Sequence, residues 1–230
     1  MIDSSICDNA TYMEKGFCEV TYELMAKAFN LYKNNVLVGI ALFGGAIYLG
    51  YPDKIYDAVL TLLIVGPMSY ILHLMTHKDF PVYAYLTMSH TKIHHADKKG
   101  NVHPLLDDLF EVLLNFFVYG SIILYIVINK LLPGKHLLIK EVVLMYALFY
   151  TSLHAINYHI VENKIHKLHH NEHKKSGRLC NMGPDFMDHY FGTSCDGTYE
   201  NSNVFSLNAI GAVIIVILLK RFVPKLYNIF

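Results

Sequence analysis

Residues 142–170 read VVLMYALFYTSLHAINYHIVENKIHKLHH, and this stretch decides the fold class. Positions 142–158 hold no Asp, Glu, Lys or Arg, so the run predicts a helix buried in an apolar medium. At 1.5 Å per residue such a helix is about 26 Å long, close to the roughly 27 Å hydrocarbon core of an endoplasmic reticulum bilayer. Immediately after it, the chain turns polar and rich in histidine. Four further runs free of charged side chains lie at 36–51, 58–75, 112–128 and 204–219, and each is a membrane-span candidate.

The composition supports a membrane setting. Of the 230 residues, 53% are hydrophobic and 17% charged, against roughly 25% charged in a typical soluble domain. Mean hydropathy is +0.32. Basic and acidic residues balance at 19 each, leaving no excess positive charge for nucleic acid, which is therefore not an expected partner. Residues 1–33 carry mixed charge and no early apolar run, so insertion is expected to use an internal signal rather than a secretory leader.

The first two runs are separated by little more than Pro52, Asp53 and Lys54, and the third and fourth by residues 130–140, so each pair reads as a helical hairpin. The long polar segments, 78–105 and 159–203, then emerge on the same side as the N-terminus. That side holds 12 Lys/Arg and the opposite side 7, which makes it cytosolic by the positive-inside rule. The expected architecture is all-α: an integral membrane bundle of four to five apolar helices under a cytosolic, histidine-rich helical cap. The fifth run is either a span or an interfacial helix. Three stretches follow, namely an N-terminal cytosolic or interfacial segment at 1–33, a histidine-bearing domain at 34–203, and an apolar helix with its tail at 204–230. Four cysteines are too few for a disulfide scaffold, and Cys180 and Cys195, on the cytosolic side, are expected to be reduced.

Fourteen histidines in a chain without Trp are the unusual feature. His73 and His77 form HLMTH at the end of the second run, and His90, His94 and His95 form HTKIHH beyond it. His154 and His159 form HAINYH at the end of the fourth run, followed by His166, His169 and His170 in HKLHH. The arrangement occurs twice, and all four groups emerge on one face. Spacings of three or four residues set imidazoles on one side of a helix, where they can grip a metal. A single interfacial His needs no explanation. Ten together would repel when protonated and be costly to bury unless a cation organises them. His173, in HHNEH, is either a ligand or a group behind the ligands, and His103, His136 and His189 fall outside the pattern.

Carboxylates are sparse in these clusters and thiols absent, which disfavours Ca, Mg and iron–sulfur chemistry and leaves imidazole-preferring Fe, Zn, Cu or Ni. Ten nitrogens exceed one ion's capacity. Shared between two six-coordinate ions with about twelve positions, they leave roughly one open position on each. HExxH and GxSxG motifs are absent, so zincin and serine-hydrolase chemistry lack support. A membrane zinc or iron transporter is the competing class, but its ligands are expected near the bilayer midplane, whereas these lie at helix ends and beyond.

The boxes HLMTH, HTKIHH and HKLHH, in this order, resemble those of the fatty acid hydroxylase and sterol desaturase superfamily of integral-membrane di-iron enzymes. The stretch GPDFMDHYFGT at 183–193 is similar to that family's closing segment, in which an Asp precedes an aromatic-Gly-Thr turn. The second box has three residues between His90 and His94, where many members have two. The resemblance spans about residues 58–193. It implies two iron ions, replaceable by zinc on purification, held by His73, His77, His90, His94, His95, His154, His159, His166, His169 and His170. It also implies O2-dependent hydroxylation or desaturation of a C–H bond in a lipid such as a fatty acyl chain or sterol. Electrons would come from a separate donor such as cytochrome b5 and its NADH-linked reductase, at the endoplasmic reticulum in a eukaryote. Asp97, Asp185 and Asp188, with His173, are candidates for orienting ligand N–H groups from behind.

Overall fold

The computed structural model describes residues 12–77, 90, 104–133, 137–161, 164–176, 180–195 and 197–227. Every regular element among them is helical. Helix α1 is Tyr12–Gly50 and α2 is Ile55–Thr76. Helix α3, Pro104–Leu114, runs into a π-helical turn at Asn115–Tyr119, and α4 is Ile122–Leu131. Helix α5, Lys140–Ser152, runs into a π-helical segment at Leu153–Ile160. Two helices of the polar cap follow, α6 at Lys164–Ser176 and α7 at Asp185–Phe191. A 3-10 turn at Ser202–Phe205 leads into α8, Ser206–Phe222, and α9 is Pro224–Tyr227.

Helix α5 is the centre of the bundle. Val142, Val143, Leu144, Met145, Tyr146, Ala147, Phe149 and Tyr150 are all buried, so its apolar side chains face other helices on every side. It packs on α2, α8, α1 and the π turn that ends α3. The hydroxyl of Thr61 on α2 accepts the N–H of Ile139 at 2.9 Å, which holds the entry to α5 against α2. Gly120 permits the close approach of the π turn, because a Cβ there would lie 2.6 Å from the Cα of Ala147.

The outer helices are two-sided. On α2, Ala58, Thr61, Leu62, Val65, Ser69, His73 and Thr76 repeat at helical spacing along the buried face, while Leu60, Leu63 and Ile71 are exposed. On α8 the small residues Ala209 and Ala212, with Val216, face inward, and Leu207, Ile210, Ile214, Ile215 and Leu218 face out. An outer surface this apolar suits lipid rather than water.

Two helical stretches, Ile55–Thr76 and Ser202–Phe222, are long and apolar enough to cross a membrane. A third candidate arises if Asp108–Tyr119 and Ile122–Leu131, bent by 41°, count as one broken span. Among the described residues, length and composition thus give two or three membrane-span candidates. Run 142–158 lies across the junction of a 13-residue α-helix and an 8-residue π segment. Its apolar character is accounted for by burial at the bundle centre.

The expectation of reduced thiols at Cys180 and Cys195 is corrected: the two are joined in a disulfide. Their Cα atoms lie 5.2 Å apart, inside the usual bridging range. The N–H of Asn181 donates to the Thr193 carbonyl at 2.7 Å, and the N–H of Cys195 donates to Asn181 Oδ1 at 3.0 Å. These bonds fold the chain after α7 back beside Cys180. Cys18 is disulfide-bonded as well.

Candidate metal centre

The C-terminal turn of α2 presents His73, and His77 follows one turn later. His90 from the first long segment and His169 from α6 meet them, and one nitrogen from each of the four lies within 4.8 Å of the others. His90 Nε2 is 3.1 Å from His73 Nε2 and 3.1 Å from His77 Nε2, and the last two are 3.4 Å apart. A metal with N ligands at about 2.0–2.1 Å has ligand–ligand edges of roughly 2.9–3.4 Å. The three nitrogens therefore have the spacing of one coordination shell.

The backbone fixes which nitrogen faces inward. His73 Nδ1 donates to the carbonyl of Met182 at 2.8 Å, and His169 Nδ1 donates to the carbonyl of Cys180 at 2.6 Å. With the proton held at Nδ1, each Nε2 carries its lone pair toward the cluster. Both rings are buried, His73 at 3% exposure and His169 at 0%. Glu111 stands behind His90, its Oε1 3.8 Å from His90 Nδ1, and Tyr119 packs against His73 with ring centroids 4.9 Å apart.

The loop that supplies the two carbonyls is itself held by Asp188. Its Oδ1 accepts the N–H of Met182 at 2.8 Å and the hydroxyl of Thr193 at 2.7 Å, and its Oδ2 accepts the N–H of Gly183 at 2.6 Å. Gly192 closes α7 in the left-handed conformation (φ 70°), and the N–H of Thr193 returns to the Asp188 carbonyl at 2.8 Å. The aromatic-Gly-Thr turn is thus a helix cap that returns the Thr193 hydroxyl to the Asp188 carboxylate. Burial pushes the Asp188 carboxyl up to about 6, with its hydrogen bonds opposing the shift. Because the folded value lies above the usual carboxylate value, this group favours folding less as the pH rises from about 4 through 6.

A second histidine group adjoins the first. The rings of His154 and His166 are 4.7 Å apart, and His166 Nε2 is 2.8 Å from His170 Nε2. His169 links the groups, with its ring 5.8 Å from that of His166 and 5.3 Å from that of His73. Tyr158 stacks on His166 at 4.4 Å with planes 7° apart, and its hydroxyl donates to both oxygens of Glu200 at 3.3 Å. The structure thus gathers seven of the ten expected ligands. His94, His95 and Asp97 lie outside the described residues, as do the side chains of His159 and His173.

The expected roles of two carboxylates take a different form. Asp188 acts on the loop whose carbonyls hold His73 and His169. Asp185 accepts Asn35 Nδ2 at 3.1 Å and the N–H of Glu200 at 3.0 Å, and lies 3.6 Å from His189. His189 stacks on Tyr199 at 4.0 Å and bonds the carbonyl of Thr198, a structural setting in keeping with its place outside the boxes. Sequence reasoning passed over Glu111, Tyr158 and Glu200. An acid at the edge of an apolar run, as Glu111 is, was the one available signal for the first of these.

A cavity of about 320 Å³ opens beside both groups. His73, His154 and His166 line it together with Leu42, Phe43, Leu62, Leu63 and Phe149, and Asn35, Asp185, Asp188 and Glu200 line it as well, so imidazoles and carboxyl groups border a largely apolar space. No family model matches the chain, and no curated protein and no solved structure matches it either.

Proposed function

We propose that this chain is an integral-membrane, non-haem di-iron oxidoreductase that hydroxylates or desaturates a C–H bond of a lipid. The observation that carries the reading is the convergence of His73, His77, His90 and His169 next to an apolar cavity lined also by His154 and His166. An all-imidazole donor set suits Fe(II) and Zn, and buried imidazoles with Nε2 lone pairs turned together fit a cation at their centre. The reading extends the ligand set to His94, His95, His159 and His170, and the bundle to four or five apolar helices at the endoplasmic reticulum.

When bound, the iron pair supplies O2 activation and C–H oxidation with two external electrons, delivered by a separate protein such as cytochrome b5 with its NADH-linked reductase. The chain's own residues do the rest. The carbonyls of Met182 and Cys180 hold protons on His73 and His169 at Nδ1. The walls built by Leu42, Phe43, Leu62 and Phe149 hold an alkyl chain against the histidines and keep water from the reacting carbon.

Purified protein is expected to carry about two metal ions per chain, since ten imidazoles exceed what one ion can bind. Elemental analysis measures this, and a reproducible value of one or zero in folded, active protein would rule out the two-ion centre. Zinc is expected to displace Fe(II) in aerobic preparations, in line with their order of affinity.

Orientation is a separate matter. The Lys/Arg excess favours a cytosolic histidine face. The Cys180–Cys195 bond on that face belongs more naturally to an oxidising compartment. A cysteine placed at position 174 is expected to react with an impermeant reagent added from the cytosolic side. Labelling from the luminal side alone would reverse the orientation and leave the metal centre untouched.

A further inference from the structure

One face of α1 runs past two hollows. Leu24, Ala28 and Leu31 line a surface groove between α1 and α7, and Asn35, Val38 and Leu42 line the cavity beside the histidines. Successive positions among these six are three or four residues apart, so all fall on one side of the helix. At 1.5 Å per residue the stripe is about 27 Å long. The groove and the cavity therefore follow one another along a single helix face.

Phe186 of α7 is the wall they share, since it lines both. On either side of it α7 is pinned to α1. Asn35 Nδ2 donates to Asp185 Oδ2 at 3.1 Å, and Lys27 Nζ donates to the carbonyl of His189 at 3.0 Å. The Phe186 ring is itself 46% exposed and has no ring partner among the described residues, whereas Phe191, also in the groove, stacks on Tyr70 at 5.3 Å. An exposed side chain without such a partner changes rotamer in picoseconds to nanoseconds. The ring can swing without breaking the two bonds that hold α7 in place.

The groove has the character of a membrane–water boundary. Lys27 and Tyr190 line it with Leu24 and Phe191, and all four are exposed. A cation on a long stem and a phenol among apolar groups are the residue types that settle at such a boundary. Phe43 and Leu63 also line the cavity and are exposed, but Leu63 lies midway along the membrane-span candidate Ile55–Thr76. Entry past Leu63 would draw a polar head group through hydrocarbon, where it finds no hydrogen-bond partner. Entry through the groove leaves the head at the surface while the tail advances.

We infer that the groove between α1 and α7 is the port through which the alkyl chain of a lipid passes from the bilayer surface into the cavity, with Phe186 as its gate. The inference rests on the reading of the cavity as the lipid site of an oxidase. It adds the route by which the substrate arrives.

The test uses a thiol placed in the cavity and a reagent delivered from the bilayer. Val38 lines the cavity, is 8% exposed, and is close in size to cysteine. Full-length Val38→Cys protein in phosphatidylcholine nanodiscs is treated at neutral pH with dodecyl methanethiosulfonate. The thiolate takes the dodecylthio group with loss of methanesulfinate, and mass spectrometry follows the mixed disulfide at position 38. Adding Ala28→Trp, which fills the groove at a position that does not line the cavity, should slow the modification at least about tenfold. Phe186→Ala should speed it several-fold, and Leu63→Trp should leave it within about twofold. An unchanged rate with Ala28→Trp in folded protein would overturn the inference, as would slowing by Leu63→Trp alone, or no modification at position 38 in any variant. Phe186→Ala decides the matter if Ala28→Trp does not fold, a rate no faster than that of Val38→Cys alone counting against the port. Metal content of the same Val38→Cys preparation tests the oxidase separately. Metal-free protein that keeps this order of rates would remove the oxidase and leave the port standing. Two bound ions without that order would do the reverse.

Discussion

His169→Gln is expected to lose bound metal and lipid product together. His169 is fully buried, sits between the two histidine groups, and has its Nδ1 committed to the Cys180 carbonyl. An amide keeps size and polarity but is a weak ligand, so the coordination shell opens where both groups meet. Changes behind a ligand cost about 10–100-fold in metal affinity or activity, and removal of the ligand itself should cost more. His189→Gln is the matched comparison, because His189 is buried in the same cap but its ring bonds the Thr198 carbonyl, faces Asp185 and stacks on Tyr199, away from the histidine groups. It should keep its metal. Elemental analysis and product formation, measured at matched expression, check both variants. An active His169→Gln protein would sink this ligand assignment.

Asp188→Asn is expected to weaken metal binding without touching a ligand. The Asp188 carboxylate accepts three hydrogen bonds, two of them from the backbone N–H groups of Met182 and Gly183. An amide can place an oxygen at only one of its two positions, and its NH2 would then confront an N–H donor. The 180–184 loop should shift, carrying with it the carbonyls that hold His73 and His169. A loss of about tenfold to a hundredfold in metal affinity is expected, the range found for groups behind a ligand. Thr193→Ser, which keeps the hydroxyl, should retain most of the affinity. Competition with a chelator of known affinity measures this. Unchanged affinity in Asp188→Asn would mean that the loop is held by other contacts.

The histidines were legible in the sequence because metal binding leaves a local signature. HLMTH and HKLHH repeat at helical spacing, and the structure brings His73, His77, His166, His169 and His170 to one region. The groups behind them were not legible. His73 and His169 are held by carbonyls of Met182 and Cys180, and every residue type carries a carbonyl, so no side chain announces the role. Glu200 lies 34 residues beyond His166 and reaches it only through Tyr158. An uncharged run does not by itself count a membrane crossing. An uncharged run predicts burial, and at 142–158 the burial is supplied by other helices. The disulfide was missed because 15 residues separate Cys180 from Cys195, and only the α7 turn closes that distance.

The π-helical segment Leu153–Ile160 makes chain length itself a constraint on the centre. Its i→i+5 bonding, seen in the N–H of Val161 donating to the Ile156 carbonyl at 2.9 Å, accommodates one more residue per turn than an α-helix. If one residue were deleted there with the five-residue bonding kept, the chain would leave the segment after Ile160 at a different angle about its axis. Substitution of Ala155 or Ile156 is a change of packing, while loss of either is a change of phase.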